Sequence, residues 1–207
     1  MPTREEILAG LTSLANEYSD IAIAWHIIIL MLIAALFAGW KPRNRLMILL
    51  LSTLFLSVSV FAGIENNVFN AAIFAFLVIM SIYTTLGTGN GLIRGDRSWP
   101  DITGLSLIIF GLIYPEFFQT DSFLEFAYAA PTGLVPCPTL CVLTGFALLY
   151  RGFGSVTWSL TVVAAGIFYG FFGVFYLGVN LDWFLVAGSL ILLLNTFILS
   201  RTASLKR

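Results

Sequence analysis

The sequence predicts an all-α polytopic membrane bundle, with seven transmembrane helices and a short N-terminal interfacial helix. Three observations lead there. Of the 207 residues 59% are hydrophobic and only 10% charged, against about 25% charged in a soluble domain. Seven segments approach or reach the roughly 17 to 20 apolar residues that a crossing needs: 21–40, 46–62, 68–86, 101–118, 134–150, 155–178 and 182–200. The charges also sort by alternate connections. Lys41, Arg43, Arg45, Arg94, Arg97, Arg151, Arg201, Lys206 and Arg207 fall on one set, with Asp96 and Asp101, so nine bases less two acids leave roughly +7. Glu5, Glu6, Glu17, Asp20, Glu65, Glu116, Asp121, Glu125 and Asp182 fall on the other with Arg4, leaving roughly −8 behind a net charge of −1. Basic connections stay in the cytoplasm, so residues 1–20 are expected outside an inner membrane and 201–207 in the cytoplasm. The whole chain is read as one integral membrane domain, 1–207. Its expected partner is the lipid bilayer, and no nucleic acid.

The first twenty residues are polar and acidic, without the basic start and apolar core of a cleavable signal. Thr3 and Glu6 have capping-box spacing, ahead of Ile7, Leu8, Leu11 and Leu14 at helical intervals. A short amphipathic helix on the outer surface follows. Ser122 and Glu125 repeat the spacing and would present Phe123, Phe126 and Tyr128 to the membrane interface. The short KPRNR and RGFG connections make their flanking helices antiparallel neighbours. The longer GTGNGLIRGDRSWP stretch, 87–100, ends in a helix start, with Pro100 in the first turn and Trp99 at headgroup level. Its Gly-x-Gly follows no strand, which removes a nucleotide-binding reading. In the sixth segment Gly166, Gly170 and Gly173 lie among phenylalanines. Small residues at that spacing let helix backbones approach closely in lipid.

The fifth segment has a strictly apolar run of only about a dozen residues after Pro138, fewer than a full crossing needs. It is kept as a crossing because a re-entrant loop would move the basic C-terminus outside. Pro136 and Pro138 suit a first helical turn, where the missing donor would be unsatisfied anyway. Cys137 then sits near the helix start, under the positive end of the helix dipole, a position that favours the thiolate. Cys141 follows one turn deeper on the same face.

Around these residues the chain resembles a bacterial multi-pass membrane family, domain of unknown function 6064. The likeness rests on GLVPCPT (133–139), LIIFGLIYPEF (107–117) and YLGVNLDWFLVAG (176–188), with NEYSDIAIAW (16–25) and FNAAIFAF (69–76) beyond them. It covers most of the chain and is strongest from about 105 to 195. The resemblance implies a compact polytopic protein and no established activity. Cys141 lies outside the family's Pro-Cys-Pro-Thr pattern.

At about 1.5 Å per helical residue, His26, Asn70, Glu116, Cys137 and Cys141 share an outer layer of the membrane, with Thr139 beside them. Ionisable groups there usually face the bundle interior or a wet cavity. The ligand-binding set expected in an outward-facing polar pocket is therefore His26, Asn70, Glu116, Cys137 and Thr139. Cys137, Cys141 and His26 offer thiolate and imidazole ligands for copper or zinc. A single His excludes a three-histidine zinc hydrolase, and no HExxH, Gly-x-Ser-x-Gly or Walker loop supports the corresponding enzymes. Non-catalytic roles lead. The first is transport or permeation of a small solute or metal ion through that pocket. The second is a scaffold or subunit binding a membrane partner, or another copy, through Gly166, Gly170 and Gly173. A thiol redox enzyme is weaker, because cysteines four apart on an intact helix do not readily meet disulfide geometry. Reporter fusions after Arg151 and after Arg207 are expected to read as cytoplasmic, and one near Asp121 as external. An external C-terminus would break the seven-span topology.

Overall fold

A computed structural model describes residues 3–93, 99–119 and 122–204, and those residues contain helices and no named strand. The order is α1 (Arg4–Glu17), α2 (Ser19–Phe37), α3 (Asn44–Ile64), α4 (Val68–Gly87), α5 (Trp99–Leu112), α6 (Phe123–Ala129), α7 (Pro136–Leu149), α8 (Val156–Phe171) and α9 (Trp183–Ser204). α8 continues as a π-helical turn over Phe172–Leu177, and a 3-10 turn at Asn180–Asp182 leads into α9. By chain order the connections alternate between an acidic end, with α1, residues 65–67, 113–119 and 178–182, and a basic end. At the basic end residues 91–93 are stitched to the α2–α3 loop by Asn44 N–H to Gly91 O at 2.9 Å and Ile93 N–H to Pro42 O at 3.0 Å.

Among the described residues five helical stretches are long and apolar enough to cross a membrane: Ser19–Phe37, Asn44–Ile64, Val68–Gly87, Val156–Leu177 and Asn180–Ser200. The other two expected crossings are the shorter α5 and α7, of 14 residues each. At about 1.5 Å per residue these rise roughly 21 Å, short of the roughly 30 Å hydrocarbon core. The apolar segments are longer in sequence than these helices because the chain spends part of each in loops, 113–118 after α5 and 134–135 before α7. Enclosure is what permits the shortfall: every residue from Pro136 to Leu148 is buried. α7 is the axis of the bundle, and the exposed apolar side chains lie on other helices, among them Ile27, Met31, Phe76, Ile79 and Leu194.

Backbone proximity fixes α5 to α7. A Cβ on Gly145 would fall 2.5 Å from the Gly104 carbonyl, and one on Gly111 would fall 2.6 Å from the Pro138 carbonyl. On the other side of the bundle aromatic rings join three helices, with Phe55 of α3 at 5.8 Å from both Phe74 of α4 and Trp158 of α8. The glycines of α8 point inward as well. Gly166 abuts Ser189, Gly170 abuts Val186 and Gly173 abuts Asp182, so this stripe packs on α9 within the chain.

The Thr3–Glu6 capping box forms as expected, with Thr3 N–H donating to Glu6 Oε2 at 2.7 Å. α1 is docked across the acidic end by Leu11, Leu14 and Ala15, and by Arg4 Nε donating to Leu177 O at 2.9 Å. Asn16 adds bonds to Phe117 O at 3.1 Å and from Gln119 N–H at 3.0 Å. Gly145→Ala is expected to destabilise the folded protein by about 1–3 kcal/mol through forced separation of α5 and α7. Gly10→Ala, whose added methyl meets nothing within 4 Å, should leave it unchanged. Thermal unfolding in detergent compares the two.

Candidate functional site

The chemistry-bearing residue of this bundle is Asp182, at the start of α9. The π-turn of α8 ends at Gly178 with φ 73°, a left-handed conformation that glycine adopts without steric cost. Val179 N–H then bonds back to Gly173 O at 2.9 Å, and Asp182 N–H to Val179 O at 3.1 Å. The chain is thereby folded under the end of α8, and the Asp182 side chain is driven inward to 1% exposure. Gly173 makes room for it, since a Cβ there would collide with Oδ2.

Each carboxylate oxygen meets a donor. Tyr114 O–H donates to Oδ1 at 2.7 Å, and Cys137 S–H donates to Oδ2 at 3.1 Å. A buried acid is tolerable only when its lone pairs are met in this way. A thiol that donates is protonated, which corrects the thiolate expected for Cys137 from the helix dipole. The residue is also buried, at 5% exposure, rather than open to the outside. Above it, the Tyr169 carbonyl lies 3.9 Å from the Cys137 sulfur, and Tyr169 O–H donates to Asn70 Oδ1 at 2.9 Å. Asn70 in turn lines a cavity of about 370 Å³ at the acidic end, together with Glu6, Leu11, Glu65, Leu134 and Pro136. This vestibule therefore reaches the residue preceding Cys137. Burial, then the charges of Glu17 and Glu65, raise the Tyr18 phenol pKa above its ordinary value.

The remaining expected residues have other duties. His26 is 1% exposed, with Nδ1 at 2.8 Å from Ala22 O of its own helix and Nε2 at 2.7 Å from Leu112 O, so the ring is held between backbone carbonyls and its Nε2 joins α2 to the end of α5. Thr139 accepts from Gly133 N–H at 2.8 Å and donates to Val135 O at 2.7 Å. With the backbone bonds of Thr132 N–H to Ala130 O and of Leu134 and Val135 N–H to Pro131 O, it meets polar groups of the buried 130–135 loop, as non-helical backbone inside a membrane bundle requires, and Thr132 Oγ1 donates across to Gly111 O at 2.7 Å. Glu116 is half-buried in the α5–α6 loop, and the carboxylate that meets Cys137 is Asp182 instead. Cys137 and Cys141 are both buried and unbonded to each other. Among the described residues no group of three or more His, Cys, Asp and Glu side chains could hold a metal ion. The copper or zinc set of Cys137, Cys141 and His26 thus does not assemble, and the His26 ring nitrogens are held by carbonyls instead.

Asp182 and Tyr114 escape sequence analysis because both lie in stretches that read as polar edges of spans. The one signal in the sequence is that Asp182 follows Gly173 by a short, glycine-containing return, which folds it against α8. Comparison of the chain with protein-family models, with curated proteins and with solved structures finds no match. Tyr114→Phe strands a buried carboxylate oxygen and is expected to cost about 1–3 kcal/mol of stability, whereas Cys137→Ser keeps a donor and should cost less. Unfolding titrations of both variants in detergent measure the difference.

Proposed function

We propose that this chain is a membrane protein that binds and passes a small cation, which enters at the acidic end and is held at Asp182. Seven crossings with the acidic end outside belong to this reading, on the strength of the charge alternation. The observation that carries it is a buried carboxylate inside an apolar bundle, bonded to Cys137, whose preceding residue Pro136 lines a vestibule walled also by Glu6 and Glu65. Ionisable residues in such bundles are costly, by about 2.5 kcal/mol or more near the centre, and mark ion or substrate pathways. An apolar replacement would fill the same space without that cost. The surroundings favour the same function. α7 begins on two prolines and α9 begins after a break in the chain, and interrupted helices of this kind form the midplane sites of many transporters.

The vestibule carboxylates would raise the local concentration of cations, and Asp182 would supply the charge that replaces part of the hydration shell. Tyr114 and Cys137 would orient that carboxylate while it is empty. The scaffold alternative loses its expected surface, since Gly166, Gly170 and Gly173 lie against α9. Purified protein in liposomes, with a zinc indicator inside one preparation and a pH dye inside another, tests the reading. Entry of Zn²⁺ or H⁺ above the rate of empty vesicles, reduced at least 10-fold by Asp182→Asn, is the expected result. Entry of both at the rate of empty vesicles would overturn it.

A further inference from the structure

Asp182 and Cys137 head a column of polar groups that repeats every seven residues down three helices. α7 and α9 both run from the acidic end to the basic end, and α8 runs back between them. Seven residues make nearly two helical turns, about 10 Å, and return a side chain to the same face. From Cys137 the count reaches Thr144, from Asp182 it reaches Ser189, and from Gly173, counting backwards along α8, it reaches Gly166. The contact of Gly166 with Ser189 repeats that of Gly173 with Asp182 one layer further in. Another seven residues reach Arg151, Thr196 and Ser159, and all three line a cavity of about 280 Å³ at the basic end, with Asn195 and Ser155.

The middle layer holds the unsatisfied groups. Thr144 and Ser189 are fully buried, and neither Oγ has a hydrogen-bond partner among the described residues. A buried unsatisfied hydroxyl is rare and calls for a partner, commonly an internal water. Trp158 Nε1 is also without a partner among the described residues, and its ring packs on Phe55 and Phe153.

We infer that a file of waters, anchored midway by Thr144 and Ser189 and bridging the roughly 10 Å between layers, links Asp182 to the basic-end cavity, and that the cation passed is a proton. This rests on the cation-passing reading above and names its substrate. Two neutral hydroxyls offer no charge to a dehydrated metal ion, and among the described residues no group of ligands assembles around them. They can relay a proton, since each hydroxyl or water accepts one on its oxygen and gives up another. The proton reaches Asp182 from vestibule water and leaves through the middle layer to water at the basic end. Every group along the column then regains its starting form.

The test is proton entry into polarised liposomes, driven by a potassium gradient with valinomycin and read by an internal pH dye. Thr144→Val and Ser189→Ala together should lower the rate at least 10-fold, while Thr144→Ser, which keeps the hydroxyl, should stay within 2-fold of the parent protein. An unchanged rate in the double variant would overturn the relay and leave cation passage through Asp182 standing. A Thr144→Ser rate as low as that of the double variant would also overturn it, by making the position one of packing. Zn²⁺ entry through Asp182 without proton entry would overturn the choice of proton alone. Entry of neither cation would remove both readings.

Discussion

A carboxylate inside an apolar bundle must be surrounded by donors before the helices around it can close, and much of this architecture answers that demand at Asp182. The donors come from different elements, Tyr114 after α5 and Cys137 on the first turn of α7. Space comes from α8, through the glycine at 173, and the sharp return at Gly178 delivers the acid to its place. Four parts of the chain are thereby referred to one point. Removal of any donor leaves a charge or lone pair stranded where water cannot reach it, which is a larger loss than the hydrogen bond itself.

The same low polarity explains why so short a helix can stand at the centre. α7 touches protein on every face, so its length is set by its neighbours and not by the bilayer. The backbone before it is irregular from Ala130 to Val135, yet Thr139 meets Gly133 N–H and Val135 O, and Thr132 bonds across to Gly111 O of α5. Glycines at 104, 111 and 145 bring α5 into near backbone contact with it. Without a hydrophobic drive between helices in lipid, such packing supplies much of the adhesion.

Most helices were legible in the sequence, because an apolar run of about twenty residues bounded by charge matches the thickness of a bilayer and little else in a folded chain. α3 and α4 fall within two residues of their expected bounds, and the Thr3–Glu6 cap is where its spacing put it. The lengths of α5 and α7 were not legible, since hydropathy measures apolar content and cannot distinguish lipid from protein as the neighbour. The site was legible by half. Cys137 and Asn70 stand along the polar route, but depth alone also selects His26 and Thr139, whose atoms serve the backbone. In sequence Asp182 reads as one more loop acid, because its inward turn depends on a left-handed glycine and a π-turn that leave no periodic mark.

The shortness of α7 has an electrical consequence. Both of its ends are met by cavities, one lined by Pro136 just before Cys137 and one lined by Arg151 just after its last turn. In a membrane that the chain crosses, the voltage would therefore drop over roughly the 21 Å of α7 rather than over the full hydrocarbon thickness. The field acting on a charge that moves along this axis is concentrated by about a half, given a core of roughly 30 Å. Asp182 lies near the acidic limit of that compressed stretch, so a charge leaving it for the basic end would cross most of the potential, worth about 2.3 kcal/mol per 100 mV for the whole span.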